Sequence, residues 1–177
     1  MRPVIIAIVG PSGSGKTLLA DYLRDRYAIP AIVSTTTRPK RENEVEGVDY
    51  HFVRNTKAFR REDMLTHTRF AGHEYLARKN QLPESGLCTY IVDERGVRKL
   101  KRSAGEEYGI ITVMVRCDTD KLREQGIDPE RIERDRTRKK LNHKYIDLIV
   151  SSNGTKEKFK QNIDGIYKII TQWLPLL

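Results

Sequence analysis

The chain has 177 residues, 38% of them hydrophobic, so its length suits one domain with a full core and is short for two independent ones. Lys and Arg outnumber Asp and Glu by 33 to 24, and the net charge of +9 favours a polyanionic partner, either a nucleotide or a nucleic acid. The chain has no apolar run of about 18 residues and only two cysteines, Cys88 and Cys117, which argues against a membrane span and a disulfide scaffold.

The first predicted element is a strand from Val4 to Val9, and a glycine-rich segment follows it directly. The segment Gly10-Pro11-Ser12-Gly13-Ser14-Gly15-Lys16-Thr17 matches the phosphate-binding pattern G-x-x-x-x-G-K-[ST] and leads into a helical pattern. Glycines let the backbone curl closely around a polyphosphate, with N–H groups at a helix N-terminus pointing inward. We expect Lys16 to reach the β- and γ-phosphates of a nucleotide and the Thr17 hydroxyl to ligate Mg²⁺. The residues expected to bind the phosphates are Gly10, Ser12, Gly13, Ser14, Gly15, Lys16 and Thr17.

Strands and helices alternate along the rest of the predicted chain. In the first half they are a helix from about Gly15 to Tyr27, a strand from Ala31 to Ser34, a polar loop from Thr35 to Gly47, a half-exposed strand from Val48 to Val53, a helix from Thr56 to about Leu65, a strand and turn from Phe70 to Leu76, and a loop from Pro83 to Gly86.

In the second half they are a core strand from Leu87 to Asp93, a helix from about Glu94 to Ala104, a strand from Ile110 to Arg116, a charged segment from Thr119 to Asn142 that Gly126 and Pro129 divide into two helices, a strand from Tyr145 to Val150, and an amphipathic helix from Lys156 to Trp173. This alternation predicts an α/β fold with a doubly wound parallel sheet and ligands at the carboxyl ends of its strands. The two cysteines are expected in or beside buried strands.

The core strand that begins at Leu87 ends in a carboxylate, Asp93. An apolar strand followed by Asp is the form of the metal-side motif in phosphate-loop folds, and it is also a common cap for the next helix. The sequence leaves these two interpretations open.

The second informative segment is Ser34-Thr35-Thr36-Thr37-Arg38-Pro39-Lys40-Arg41, which continues to Phe52. Arg38 and Arg41 stand three residues apart around a proline, with hydroxyls before them. Arginine suits a terminal phosphate because its planar fork binds two phosphate oxygens at once. A pair of arginines at this spacing, taken alone, is more often a solvated turn.

In its full length this segment, S-T-T-T-R-P-K-R-E-N-E-V-E-G-V-D-Y-H-F, resembles the acceptor lobe of the guanylate kinase family, S-x-T-T-R-x-x-R followed by G-E-V-x-G-x-D-Y-x-F. The resemblance extends more weakly over nearly the whole chain, including the stretches Asp93 to Val97 and Leu148 to Val150. It implies a single P-loop NTPase domain over residues 1–177. Its expected parts are a core (1–33, 87–120 and 141–177), a lobe for the nucleoside monophosphate (34–86) and a lid (121–140).

The resemblance also implies the reaction, which is transfer of the γ-phosphoryl group of ATP, with Mg²⁺, to a nucleoside monophosphate, with GMP the best single candidate. By this resemblance the acceptor phosphate would be held by Arg38, Arg41, Tyr50 and Tyr75, with Ser34 near the base. The family binds the guanine base with carboxylates, and Asp93 is the one residue of this chain that keeps a carboxylate at an expected position.

The lid is expected to close arginines over the transferring phosphoryl group, and Arg131, Arg134 and Arg136 are the candidates that the resemblance offers. The glycine-flanked lid arginine of the family is replaced by Ile127, so the role of each arginine stays open. The catalytic set expected from the resemblance is Lys16, Arg38, Arg131 and Arg134.

At the base, the sequence departs from the family pattern. Thr66 stands where one carboxylate is expected and Ala77 where a serine is expected, while Glu62, Asp63 and Glu74 lie near enough to substitute. Loss of a charged acceptor at the N1 and N2 edge of guanine should lower selectivity. We therefore expect either weak binding of GMP or use of another monophosphate.

Two other classes of protein remain open. One is a guanylate-kinase-like binding module without catalysis, against which the intact phosphate loop with Lys16 argues. The other is a nucleic-acid-binding ATPase, suggested by the charge but weakened because the basic runs Arg95 to Arg102 and Arg131 to Lys140 lack interleaved aromatic residues. The expectation is a cytoplasmic protein, monomer or dimer, with nucleotides and neither a membrane nor a nucleic acid as its partners.

Overall fold

The computed structural model describes residues 2–103 and 107–174. The strands are β1 (Val4–Val9), β2 (Ala31–Ile32), β3 (Thr35–Thr36), β4 (His51–Phe52), β5 (Met64–Phe70), β6 (His73–Arg78), β7 (Leu87–Ile91), β8 (Gly109–Arg116) and β9 (Leu148–Ser151). The α-helices are α1 (Lys16–Tyr27), α2 (Glu94–Ser103), α3 (Thr119–Glu124), α4 (Pro129–Thr137) and α5 (Lys156–Trp173), and short 3-10 turns lie at Arg61–Asp63, Lys79–Gln81 and His143–Tyr145.

The main sheet has the order β2-β7-β1-β8-β9, and every neighbouring pair in it is parallel. All six residues of β1 are buried, as expected for a central parallel strand covered on both faces. Alternate β1 residues, among them Ile6 and Ile8, pack with α1 and α5 on one face. Ile5 and Ala7 pack with α2 on the other. The predicted doubly wound parallel sheet is confirmed.

The loop after β1 lies at the crevice where the strand order reverses. After β1 the chain runs through α1 to β2 on one side, and after β7 it runs through α2 to β8 on the other side of β1. The connections that follow the neighbouring strands β1 and β7 therefore run in opposite directions. Val92 donates its N–H to the Ile8 carbonyl at 3.0 Å, which brings the segment after β7 beside the end of β1. The glycine loop and Asp93 are therefore neighbours at the carboxyl edge of the sheet.

A second, smaller sheet is formed by residues between β2 and β7 in the chain, with the order β4-β3-β6-β5. Its core is the antiparallel hairpin of β5 and β6. Ala71 and Gly72 turn this hairpin with φ angles of 48° and 79°, the left-handed values that a tight two-residue hairpin turn requires. Tyr75 lies in this sheet, on β6, while Arg38 follows β3 by two residues and Tyr50 directly precedes β4.

The structure corrects three of the predicted elements. The helix expected from Thr56 to Leu65 is wrong, since residues 61–63 form a 3-10 turn and β5 begins at Met64. The cause is tertiary pairing with β6, which a local helical pattern does not reveal. The strand expected from Val48 is reduced to β4, because Asp49 accepts a hydrogen bond from the Val45 N–H at 2.8 Å and closes a turn.

The third correction concerns the last strand, which begins at Leu148 rather than Tyr145. Asn142 caps a 3-10 turn at that point by accepting a hydrogen bond from the Lys144 N–H at 3.0 Å. Ala104, the predicted end of the helix that begins at Glu94, lies outside the described residues.

Two further sequence expectations concern the cysteines and a membrane span. Cys88 is buried in β7 and Cys117 is half-buried directly after β8, so both lie in or beside strands as expected, and both are free thiols. Among the residues described, no helix has both the length and the apolar character needed to cross a bilayer.

Candidate active site

The glycine loop between β1 and α1 has the tight backbone that its sequence predicts. Gly13 and Gly15 have φ angles of 76° and 94°, in the left-handed region that favours glycine, and Gly15 caps α1. A Cβ on Gly10 would lie 2.5 Å from the carbonyl oxygen of Val115, so a side chain cannot fit there. The loop thus presents its N–H groups at the start of a helix, which is the geometry of an anion site.

Lys16 lies folded back across this loop. Its Nζ donates to the carbonyl oxygens of Gly10 at 2.9 Å and Pro11 at 2.7 Å. Burial first, and then the positive charge of Arg138, lower the pKa of Lys16 from its ordinary 10.5 to about 8. Asp135 raises the pKa and so opposes that change. The lysine therefore lies among charges that come from several parts of the chain.

The loop also offers groups that suit a metal nucleotide. Thr17 is exposed at the first turn of α1, where its hydroxyl would supply an oxygen donor of the kind that Mg²⁺ prefers. In the described part of the chain, no cluster of three or more His, Cys, Asp and Glu residues could hold a metal by itself. The hydroxyl of Ser14 is buried without a hydrogen-bond partner among these residues. These groups fit Mg²⁺ that arrives with the nucleotide.

Helix α4 lies against the loop with one charged face. That face repeats at helical spacing and consists of Arg131, Arg134, Asp135 and Arg138. The Asp135 carboxylate accepts a hydrogen bond from the Ser12 N–H at 2.6 Å, and Arg134 donates to the Ser12 hydroxyl at 3.3 Å. A Cβ added to Gly13 would lie 2.4 Å from Ile127, so the segment before α4 also packs on the loop. The predicted lid is in contact with the phosphate loop.

The three lid arginines expected from the sequence are not equivalent. Arg134 reaches the loop, and the charge of Arg131 is among the causes that lower the pKa of Lys16. The side chain of Arg136 is 76% exposed and pairs with Glu133 at 3.6 Å, so it points away from the loop.

Three charged residues of this site, Asp135, Arg138 and Glu94, were missed by the sequence reasoning. Arg138 donates to Glu94 at 2.7 Å, and the side chains are only 21% and 11% exposed. The spacing of seven residues between Arg131 and Arg138 places both on one helical face, which is the pattern that could have identified Arg138. Glu94 offers no such pattern, since it directly follows Asp93 in an ordinary helix start.

On the acceptor side, the structure brings together Arg38, Tyr50 and Tyr75. The Arg38 guanidinium lies 5.2 Å from the centre of the Tyr50 ring, and the Tyr50 and Tyr75 rings are 6.0 Å apart. Arg38 donates to Glu44 at 2.6 Å, and its side chain is 11% exposed. Arg41 is further out, 54% exposed, with 3.7 Å between its guanidinium and Glu44.

Glu44 is the carboxylate that pairs with this cluster. Burial raises the pKa of its carboxyl, but the hydrogen bond from Arg38 and the backbone N–H of Arg41 outweigh burial and hold the pKa below its usual value. A carboxylate of the protein thus lies against the same guanidinium that is expected to meet the acceptor phosphate.

The region expected to meet the base is lined by three neutral hydroxyls, and the one carboxylate near them among the described residues is Asp93, whose charge acts on Tyr90. Thr66 and Tyr90 are buried, with a hydrogen bond of 2.7 Å between their hydroxyls, and Ser34 shares the Tyr90 hydroxyl. Burial raises the pKa of Tyr90, which keeps its hydroxyl protonated. Ala77 is the cross-strand partner of Thr66. Asp93 accepts a hydrogen bond from the Gly96 N–H at 2.6 Å and so caps α2. A helix cap is one of the two interpretations of Asp93 that the sequence left open.

The three carboxylates considered as substitutes at the base lie elsewhere. Glu62 and Asp63 are exposed on a 3-10 turn. Glu74 adjoins Tyr75 on β6, and successive strand residues face opposite sides of a sheet, so the two side chains diverge. Glu74 instead accepts a hydrogen bond from Thr56 at 2.7 Å. The structure does not bring any of the three to the hydroxyl cluster.

Comparison with known proteins gives one consistent result. The family model described as guanylate kinase matches residues 1–165. The guanylate kinase of Clostridium perfringens is 31% identical over 162 residues, which cover 86% of this chain and 74% of that protein. That of Helicobacter hepaticus is 27% identical over 203 residues, covering 97% and 99% of the two chains. Among solved structures, the crystal structure of guanylate kinase from Anaplasma phagocytophilum matches with a TM-score of 0.62 at 21% identity, over 97% of this chain and 86% of that one.

Proposed function

Because the chain belongs to the guanylate kinase family, we propose that it transfers the γ-phosphoryl group of ATP to GMP and so forms ADP and GDP. Family membership confirms the resemblance in the acceptor segment. The observation that most supports the proposal is the intact phosphate loop, with Lys16 folded across it and the charged face of α4 in contact with it. A module that only binds a partner has no evident need of these groups.

The proposed reaction needs no covalent intermediate. An oxygen of the GMP phosphate attacks the γ-phosphorus of ATP while the bond from that phosphorus to the β,γ-bridging oxygen breaks. Loop N–H groups, Lys16, Arg131 and Arg134 would stabilise the charge on the transferring group, and Arg38 would orient the acceptor phosphate. Bound Mg²⁺, held by Thr17 and the phosphates, would neutralise charge on the β- and γ-oxygens.

Two protein carboxylates support the assignment of the anion sites. Asp135 binds the Ser12 N–H of the loop, and Glu44 binds Arg38. Each pairs with a group that would contact a substrate phosphate, so both positions favour negative charge. We propose that ATP displaces Asp135 and that GMP displaces Glu44 from these groups.

The domain organisation and setting belong to the same proposal. The acceptor lobe (34–86) and the lid (121–140) would close on the core (1–33, 87–120 and 141–177) and exclude water from the transfer. We propose that the protein is cytoplasmic, where ATP and GMP are available to it. We propose that it acts as a monomer or a dimer.

A coupled assay of ADP release tests the class of activity. With ATP and Mg²⁺ we expect ADP release that depends on GMP and does not respond to added RNA. ADP release stimulated by RNA without any monophosphate would indicate a nucleic-acid-dependent ATPase instead. Binding of GMP without ADP release would indicate a binding module.

The hydroxyl cluster at the base predicts modest selectivity. Thr66, Tyr90 and Ser34 can each donate and accept, so they do not reject adenine as a carboxylate does. Loss of a charged acceptor costs about 2–4 kcal/mol of preference. We expect GMP to be used best, with kcat/KM less than about a hundredfold above that for AMP.

The measurement is kcat/KM for GMP, dGMP, IMP, AMP, CMP and UMP. The dGMP value serves as a control, since it changes only the sugar. A preference for GMP over AMP above about a thousandfold, which a fully paired polar site can reach, would contradict the assignment of Thr66 and Ala77 to the base.

The lowered pKa of Lys16 predicts a pH dependence. Transfer needs the protonated lysine, so with a pKa of about 8 in the free enzyme, kcat/KM for ATP should fall about tenfold between about pH 7 and about pH 9. Bound phosphates raise the pKa of the lysine, so kcat should stay constant up to a higher pH than kcat/KM does. The guanidinium of Lys16→Arg stays charged, and its profile should be flat over this window at a lower rate. A wild-type kcat/KM that stays constant up to about pH 9.5 would contradict the assignment.

A further inference from the structure

Phe70, the last residue of β5, is in contact with two arginines of the lid. The guanidinium carbon of Arg134 lies 5.0 Å from the centre of the Phe70 ring, and that of Arg138 lies 5.4 Å from it. Both distances are within the range of attraction between a cation and an aromatic face. Phe70 belongs to the acceptor lobe and the arginines belong to α4 and its end, so this ring joins two segments that are far apart in the chain.

The hairpin turn explains why Phe70 is at this position. Phe70 pairs with His73 beside the turn, and Thr68 pairs with Tyr75 two residues before it. Residues two apart on a strand share a face, so Phe70 lies on the same face as Thr68 and Tyr75, about 7 Å further along. The ring therefore extends the acceptor-phosphate face toward the lid.

The contacts of the two arginines show what the ring adds. Arg134 also reaches Asp135 at 3.2 Å and the Ser12 hydroxyl at 3.3 Å, while Arg138 is held by Glu94 at 2.7 Å. Attraction between the ring and a guanidinium carbon takes none of the N–H donors of the arginine. The ring can therefore restrain both arginines while their N–H groups exchange protein oxygens for phosphate oxygens.

We propose that Phe70 is a positioning residue, which orients Arg134 and Arg138 toward the transferring phosphoryl group when the acceptor lobe meets the lid. This inference rests on the proposed kinase function. It couples the two closures, since the arginines are fixed only when the lobe that carries the acceptor is in place. The energy of two such contacts is enough to change a rate about tenfold.

The decisive variants keep an apolar side chain at position 70 and either remove or retain the aromatic ring. Phe70→Leu removes the aromatic face, Phe70→Trp retains it, and Phe59→Leu is a matched control, because Phe59 lies in the same lobe and contacts Arg78 of β6 at 6.0 Å rather than a lid arginine. We expect Phe70→Leu to lower kcat about tenfold with KM values for GMP and ATP changed less than about twofold. Phe70→Trp and Phe59→Leu should stay within about threefold of wild type.

A second measurement judges the inference without turnover. The probe is P1-guanosine-5′ P5-adenosine-5′ pentaphosphate, which spans both subsites, with affinity measured by calorimetry. Phe70→Leu should bind it about tenfold more weakly while its affinities for GMP alone and ATP alone are unchanged. Equal affinity for the pentaphosphate in wild type and Phe70→Leu would overturn the inference.

A double-mutant comparison separates positioning from packing. In a background with Arg134→Ala and Arg138→Ala, the further change Phe70→Leu should cost less than about twofold in affinity for the pentaphosphate, because the groups through which it acts are gone. A further tenfold loss there would show that Phe70 acts independently of the arginines. If wild type binds the pentaphosphate as expected but transfers no phosphoryl group, the proposed function fails while the role of Phe70 in closure stands.

Discussion

Replacing Lys16 by Met is expected to lower phosphoryl transfer by roughly a thousandfold while the protein stays folded. Lys16 supplies a positive charge at the centre of the phosphate loop, where burial makes charge stabilisation strong. Its Nζ bonds only to the carbonyl oxygens of Gly10 and Pro11 among the described residues, and methionine has a similar length. The variant thus removes the charge and keeps most of the packing.

The measurement is kcat for GDP formation, together with the thermal unfolding midpoint. Lys57→Met is the matched control, since Lys57 is exposed in the acceptor lobe, and it should retain wild-type activity. A Lys16→Met enzyme with the wild-type rate would exclude this loop as the site of transfer. A large fall in its unfolding midpoint would assign the loss of activity to the fold instead.

Replacing Arg38 by Ala is expected to lower kcat/KM for GMP about a hundredfold, or roughly 3 kcal/mol of transition-state binding. Arg38 is nearly buried between Tyr50 and Glu44 and would make charge-assisted bonds to a phosphate dianion. Arg41 is 54% exposed, so Arg41→Ala should lose less, about tenfold. The structure thus ranks two arginines that the sequence alone treats as equal.

Steady-state kinetics with GMP varied at saturating ATP tests this ranking. Arg61→Ala offers a control, because Arg61 is an exposed arginine of the same lobe and its loss should leave kcat/KM unchanged. Losses below about threefold for both Arg38→Ala and Arg41→Ala would move the acceptor phosphate to another part of the protein.

The features that the sequence predicted well depend on residues close together in the chain. The phosphate-loop motif has its glycines, lysine and threonine at fixed spacing beside a strand and a helix, so a tight loop from Gly10 to Thr17 between β1 and α1 could be predicted without any tertiary information, and the binding roles of its residues remain predictions. The parallel sheet followed from the alternation of elements. The arginines and tyrosines of the acceptor segment were identified by resemblance, and their roles remain predictions.

What the sequence could not predict depends on long-range contacts. The 2.7 Å bond between Thr66 and Tyr90 joins residues 24 apart, and Arg138 meets Glu94 across 44 residues. The helix expected from Thr56 to Leu65 failed for the same reason, because β5 is stabilised by β6 rather than by its local pattern. The contact of Phe70 with α4 likewise follows from the hairpin turn, whose effect appears only in three dimensions.

Transfer of a labelled phosphoryl group tests the central claim most directly. The protein is incubated with Mg²⁺, GMP and ATP labelled at the γ-phosphorus, and the products are separated. The account predicts that the label appears in GDP, with one GDP formed for each ADP, and that no product forms without GMP. Label recovered as inorganic phosphate with no labelled GDP would contradict it.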